Sequence, residues 1–172
     1  ASATAMDAVS ESNTAMDAII ASNDVALPRV VSSQPAMDAV SVSTVAMEAV
    51  AASSLAMDAV IASDDIALPT VVETETAMDA VSTSQTAMDA VSTSQTAMDA
   101  VSTSDLALDS IWDSSLAWDT VKAKAMAVGK FVAGRAGLDG ANFADIDAVA
   151  SDQSAMDAVA ASTMAYSAAF ES

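Results

Sequence analysis

Four of the five basic residues, Lys122, Lys124, Lys130 and Arg135, fall in one stretch, "VKAKAMAVGKFVAGRAGLDGANFADIDAVA", together with all four glycines. If the chain held a chemical site, it would be here. "GKFVAG" pairs Gly with Lys, as a phosphate cradle does, but lacks the spacing of a phosphate-binding loop. The acids of "DGANFADID" do not fall on the ligand positions of a calcium loop. A contact surface is the remaining sharp reading. Trp and Arg are favoured interface anchors, and Trp112, Trp118, Lys130, Phe131 and Arg135 are the residues expected to form one. The plainer reading is a larger helical joint that caps or bends the molecule, its cations paired with acids elsewhere. The two are compatible.

The rest of the composition narrows the chemistry. The 172 residues include no His and no Cys. That removes the commonest metal ligand and general base and leaves no thiolate or disulfide. Asp and Glu number 24 against 5 Lys and Arg, a net charge of −19. Such a chain lacks the basic face that nucleic acid requires and is repelled by anionic lipid. Asp interrupts every long apolar stretch, so no membrane span is expected. No cofactor and no metal are expected, and an enzyme is the least expected class.

What positions these residues is a repeat. "TAMDAVSTSQ" occurs twice without change from Thr76 to Gln95, and "TAMDAVSTS" begins again at Thr96. The Ala before the apolar anchor recurs at Ala5, Ala15, Ala26, Ala36, Ala46, Ala56, Ala67, Ala77, Ala87, Ala97, Ala107 and Ala117, in steps of ten with two steps of eleven. Both longer steps land in the proline decads, "VALPRVV" and "IALPTVV". The segments around Pro28 and Pro69 align with each other, which places a unit of four decads above the single one. The decad phase resumes at Asp145, Ala155 and Ala165.

Within a decad, Ala, Met, Ala and Val sit at i, i+1, i+3 and i+4, a helical clustering. "TAMD" has the spacing of a capping box, Thr or Ser with Asp three residues on. The pairs are Thr4/Asp7, Thr14/Asp17, Thr76/Asp79, Thr86/Asp89, Thr96/Asp99 and Ser154/Asp157. These Asp residues read as solvated, helix-capping charges rather than Ca²⁺ ligands. The methionines at 6, 16, 37, 47, 57, 78, 88, 98 and 156 read as core. A single long helix is excluded, because ten residues fall about 80° short of three turns, and the apolar stripe would spiral away from any partner. "STSQ" also favours turns.

The expected fold is therefore all-α: an elongated, solenoid-like stack of short helices, one per decad. A β-solenoid with decads as half-coils is the alternative. Residues 1–121 form the array, 122–144 a Lys/Gly-rich helical insertion or joint, and 145–172 the terminal repeats. The start at Ala1, inside a repeat, leads us to expect a piece of a longer or processed protein.

Stretches such as "TAMDAVSES", "VAMEAVAASSLAMDAVIAS", the "TAMDAVSTSQ" run and "SAMDAVAASTMAYSA" resemble the S-x-T-A-M-x-A-V repeats of tail-fibre and adhesion proteins of tailed viruses. The resemblance covers about residues 1–121 and 145–170. It implies a spacer or scaffold on a virion or extracellular fibre. The implied partners are other structural proteins of the fibre, copies of the chain as a homo-oligomer, and a host-surface receptor. Asp fills the variable slot where Lys is scarce, which suggests a halophilic, haloarchaeal host. Two functions are expected from this: a fibre spacer, or a binding module that recognises a surface glycan or a protein through the Trp-rich segment.

Overall fold

The computed structural model describes residues 3–171, with side chains from 5 to 170. The described residues form helices and no strand, so the helical expectation holds and the β-solenoid does not. The helices are α1 Ala3–Ser10, α2 Asn13–Ala21, α3 Ala26–Val31, α4 Gln34–Ser41, α5 Thr44–Ala51, α6 Ser54–Ala62, α7 Ala67–Val72 and α8 Glu75–Ser82. They continue as α9 Gln85–Thr93, α10 Gln95–Ser102, α11 Asp105–Asp113, α12 Ser115–Lys122, α13 Ala125–Arg135, α14 Ile146–Ser151, α15 Gln153–Ala161 and α16 Thr163–Glu171. A 3-10 turn, Gly140–Asn142, follows α13.

Each helix packs on its chain neighbours and on the helix three places further along. One column runs α1, α4, α7, α10, α13, α16; a second runs α2, α5, α8, α11; a third runs α3, α6, α9, α12. The chain thus winds into three-sided coils, three decads to a coil. The axis turns by 101° between α5 and α6. The four-decad sequence unit is not the coil. Pro28 lies in α3, in the third column, and Pro69 in α7, in the first. Both prolines occupy the third helical position, where the missing N–H has no intrahelical partner to lose.

Helix starts differ from the capping-box reading. The N-cap is the Ser of the preceding turn, two residues before the expected Thr. Ser12, Ser84 and Ser94 accept from the backbone N–H of Ala15, Ala87 and Ala97. Thr14, Thr86 and Thr96 are second helical residues instead. Thr74 occupies the cap ahead of Thr76, and Asp152 the cap ahead of Ser154. The Thr4 side chain lies outside the described residues. The repeat Asp, being fifth in the helix, cannot close a box; Asp89 accepts instead from the Gln85 amide at 3.0 Å.

A helix of two turns is unstable alone in water, and here stacking supplies the core. Positions i and i+4 of a helix share one ridge, and i+1 and i+5 the next. The Ala/Val ridge faces the preceding coil and the Met ridge the following one. Burial at the two ends reveals this polarity. In the first coil Met6, Met16 and Leu27 are buried, whereas Ala5 is exposed and Ala15 partly so. In the last coil Ala155 and Ala165 are buried, whereas Met156 and Tyr166 are exposed. Between the ends, Met37, Met47, Met57, Met78, Met88 and Met98 are fully buried in one continuous core. The Met reading holds for these, and Met156 is a correction: no coil lies over it.

The corners carry hydrogen bonds between coils. Ser43 donates to the carbonyl of Ser10, Ser63 to Val31, Ser84 to Ala51, Ser104 to Val72, Ser114 to Ser82 and Ser162 to Arg135. These carbonyls stand at helix ends, where the backbone lacks intrahelical donors. A Ser that caps its own helix thereby also ties down the end of a helix in the coil before.

Candidate functional site

The slot after the repeat Met points outward on all three sides. Its residues form a file along each column: Asp7, Asp38 and Asp99 on the first, Asp17, Glu48, Asp79 and Asp109 on the second, and Asp58, Asp89 and Asp119 on the third. Neighbours in a file are one helix spacing apart, about 10 Å. At the far end of these files the cations arrive. Lys130 of α13 pairs with Asp99, Arg135 with Asp109 at 2.6 Å, and Lys122 with Asp119 at 2.6 Å. Lys124 lies 3.9 Å from Asp89 and donates to Ser92 at 2.7 Å. The cation cluster thus terminates all three acidic files.

Lys130 is the deepest of the four, fully buried. Its ammonium donates to the Asp99 carboxylate and, at 3.0 Å, to the carbonyl of Gly140. A buried Lys needs such partners, since an isolated charge away from water costs many kcal/mol. Two glycines let α13 approach its supports closely. A Cβ on Gly134 would lie 2.5 Å from the Ser102 carbonyl oxygen, and one on Gly129 would lie 2.2 Å from the Asp145 carbonyl carbon. These two glycines sit inside a helix, not in turns as "GKFVAG" suggested. Gly137, with φ of 73°, does turn the chain.

The aromatic residues come one from each side of the coil. Trp112 ends α11, Trp118 takes the Met slot of α12, and Phe131 lies mid-way along α13. The two indoles are 5.1 Å apart, Trp118 and Phe131 are 5.1 Å apart, and Trp112 stacks on Phe131 at 6.2 Å. The Arg135 guanidinium covers the Phe131 ring at 5.4 Å, a favourable cation–π placement. Trp118 Nε1 and Arg135 Nε and Nη2 are buried without a hydrogen-bond partner.

The five expected contact residues are therefore brought together, but mostly inward. Lys130, Phe131 and Trp118 belong to the core, and the Arg135 side chain is nearly covered. Trp112 is half-buried. The segment 122–144 carries α13, which takes the place in the first column that follows α10, so the joint is also a coil member. Asp89, Asp99 and Asp109 escaped the sequence reading as partners of these cations. The separation of 31 residues between Asp99 and Lys130 is one coil, a signal readable only once the coil length is known.

Beside this cluster an open groove of about 890 Å³ runs between α8, α11 and α12, lined by Glu75, Asp79, Asp109, Asp113, Leu106 and Leu116 among others. Among the described residues no three acids converge as a metal site. No single helix among them is long and apolar enough to cross a membrane. No family model matches the chain, and no curated protein matches it.

Proposed function

We propose that this chain is a structural repeat protein, a segment of a virion tail fibre or similar extracellular fibre that acts as spacer and scaffold for host attachment. The observation that carries this reading is the stack itself: coil upon coil makes the same Met contacts and the same Ser hydrogen bonds. Such a body gains length with each coil and needs no unlike residue to do so. Five steps along the first column, at about 9 Å each, give a body about 45 Å long. The carboxylate files along all three sides support a high-salt setting, where dense charge keeps a protein hydrated and soluble. Its partners are other structural proteins of the fibre and further copies of itself.

The test is insertion of three extra copies of the coil 33–62 after Ala62, in the full particle. The fibre should lengthen by about 30 Å while host adsorption persists. Loss of adsorption at normal fibre occupancy would show that recognition resides in the repeats and end the spacer reading.

A second reading, an adhesin acting through the Trp-rich segment, draws on one observation: Trp112 is half-buried at the end of α11, where a partner reaches it. Trp112→Ala would then abolish adsorption with fibre length unchanged.

A further inference from the structure

The ends of the stack are unlike each other and complementary. At the C-terminal end, Tyr166 and Phe170 stand one helical turn apart on the ridge that elsewhere faces a following coil. Their rings are 4.4 Å apart, and they are 49% and 74% exposed. Met156 of α15, in the same slot, is 39% exposed, whereas Met88 in the interior is 0% exposed. At the N-terminal end, the small Ala ridge that elsewhere receives a preceding coil is uncovered: Ala15 is partly exposed, whereas Ala46, directly above it in the column, is buried. The corner residues Ser12 and Ser22 accept from their own helix, as the interior caps do. Their hydroxyls have no coil beneath to receive a bond. Stacked-repeat proteins that stay single close their ends with polar capping repeats. Here neither end is closed.

We propose that the C-terminal coil of one copy docks on the N-terminal coil of a second copy, head to tail, continuing the internal coil-on-coil contact between molecules. The contact offers the Tyr166/Phe170/Met156 ridge to the Ala15 ridge, as Met47 is offered to the next coil within the chain. A head-to-tail contact that does not close on itself propagates as a filament. The rims of both ends carry acids, Asp7 and Asp17 at one and Asp157 at the other, so molar salt favours the association. This deepens the fibre reading and rests on it for its setting. The test uses only the purified chain, so its failure would remove the contact and leave the spacer reading standing.

The experiment is sedimentation velocity in molar KCl on the chain and two end variants. Tyr166→Asp with Phe170→Asp spoils the C-terminal end; Ala15→Glu spoils the N-terminal end. All three substitutions fall on exposed or part-exposed positions, and helical circular dichroism checks each fold. The chain itself should grow past dimer with concentration, into filaments one molecule wide by electron microscopy. Each variant alone should associate about 30-fold or more weakly. A one-to-one mixture of the two should form dimers and stop there, since each brings one intact end. A monomer at every concentration overturns the proposal. So does assembly that survives both end changes, which would mean a lateral contact, and so does a mixture that fails to dimerise.

Discussion

Ser84 holds two helices at once: its hydroxyl oxygen accepts from the Ala87 N–H at 3.3 Å and donates to the Ala51 carbonyl, 33 residues earlier, at 2.6 Å. Thr86, two residues on, makes neither bond. Ser84→Ala is expected to cost about 2 kcal/mol, a lost cap together with an orphaned helix-end carbonyl. Thr86→Ala should stay within about 0.5 kcal/mol. Urea unfolding of the two variants decides it. Equal losses would mean that the Ser corner does not bind coil to coil.

Met88 and Met156 occupy the same slot of the decad in different places along the stack. Met88→Ala, inside it, should cost about 2–4 kcal/mol, as removal of a large side chain from a packed core does. Met156→Ala, with no coil above, should cost under about 1 kcal/mol. The comparison is made on monomeric protein at low concentration, so that any contact between copies does not cover Met156. A costly Met156→Ala there would contradict the one-way facing of the Met ridge.

Lys130 and Lys122 belong to the same cation cluster at different depths. Lys130→Ala leaves Asp99 and the Gly140 carbonyl without their donor and opens a cavity around the lost stem. A loss of about 3–5 kcal/mol is expected, as for a broken buried pair. Lys122 is exposed on α12, and Lys122→Ala should move stability by less than about 1 kcal/mol. Thermal unfolding at fixed salt measures both.

The acid files predict a salt response. Carboxylates about 10 Å apart along each column repel one another at low ionic strength, where the screening length is of the same size or larger. Molar salt shortens that length to about 3 Å. The melting temperature should therefore rise from low to molar KCl. Reversing the charge balance tests the cause: Asp17→Lys with Glu48→Lys, both exposed on the second column, should flatten the rise. A melting temperature indifferent to salt in the unaltered chain would remove electrostatic repulsion from the account.

One helix per decad was legible from Ala, Met, Ala and Val at i, i+1, i+3 and i+4, and so were the turns at Ser and the proline positions. Helix starts were misplaced because Ser84 to Ala87 and Thr86 to Asp89 both have the three-residue spacing of a cap. Only the Thr86 pair has the residue types of a box, yet only Ser84 has its oxygen beside free N–H groups. The number of decads per coil was not legible at all. It depends on how Met88 meets the next coil's Ala ridge in three dimensions, and the recurrence of Pro28 at Pro69 pointed to four. Once three is known, the partners of Lys130 and Lys124 follow from counting back one coil to Asp99 and Ser92. Without that number, "GKFVAG" reads as an exposed contact, although its Lys and Phe are core.

Three decads to a coil, with a sequence that varies by whole decads, couples length to direction. Loss or gain of three decads moves the far end along the axis without turning it. Loss or gain of one advances it by a third of a coil and brings a different side of the terminal coil round to face the same way. Either change leaves every downstream helix with its own neighbour three places away. A gene whose thirty-base units nearly repeat invites slippage of this kind, and this architecture absorbs it without a break in the core. What such a lineage can explore cheaply is therefore reach and aim together, by copying error alone, with no new side chain required.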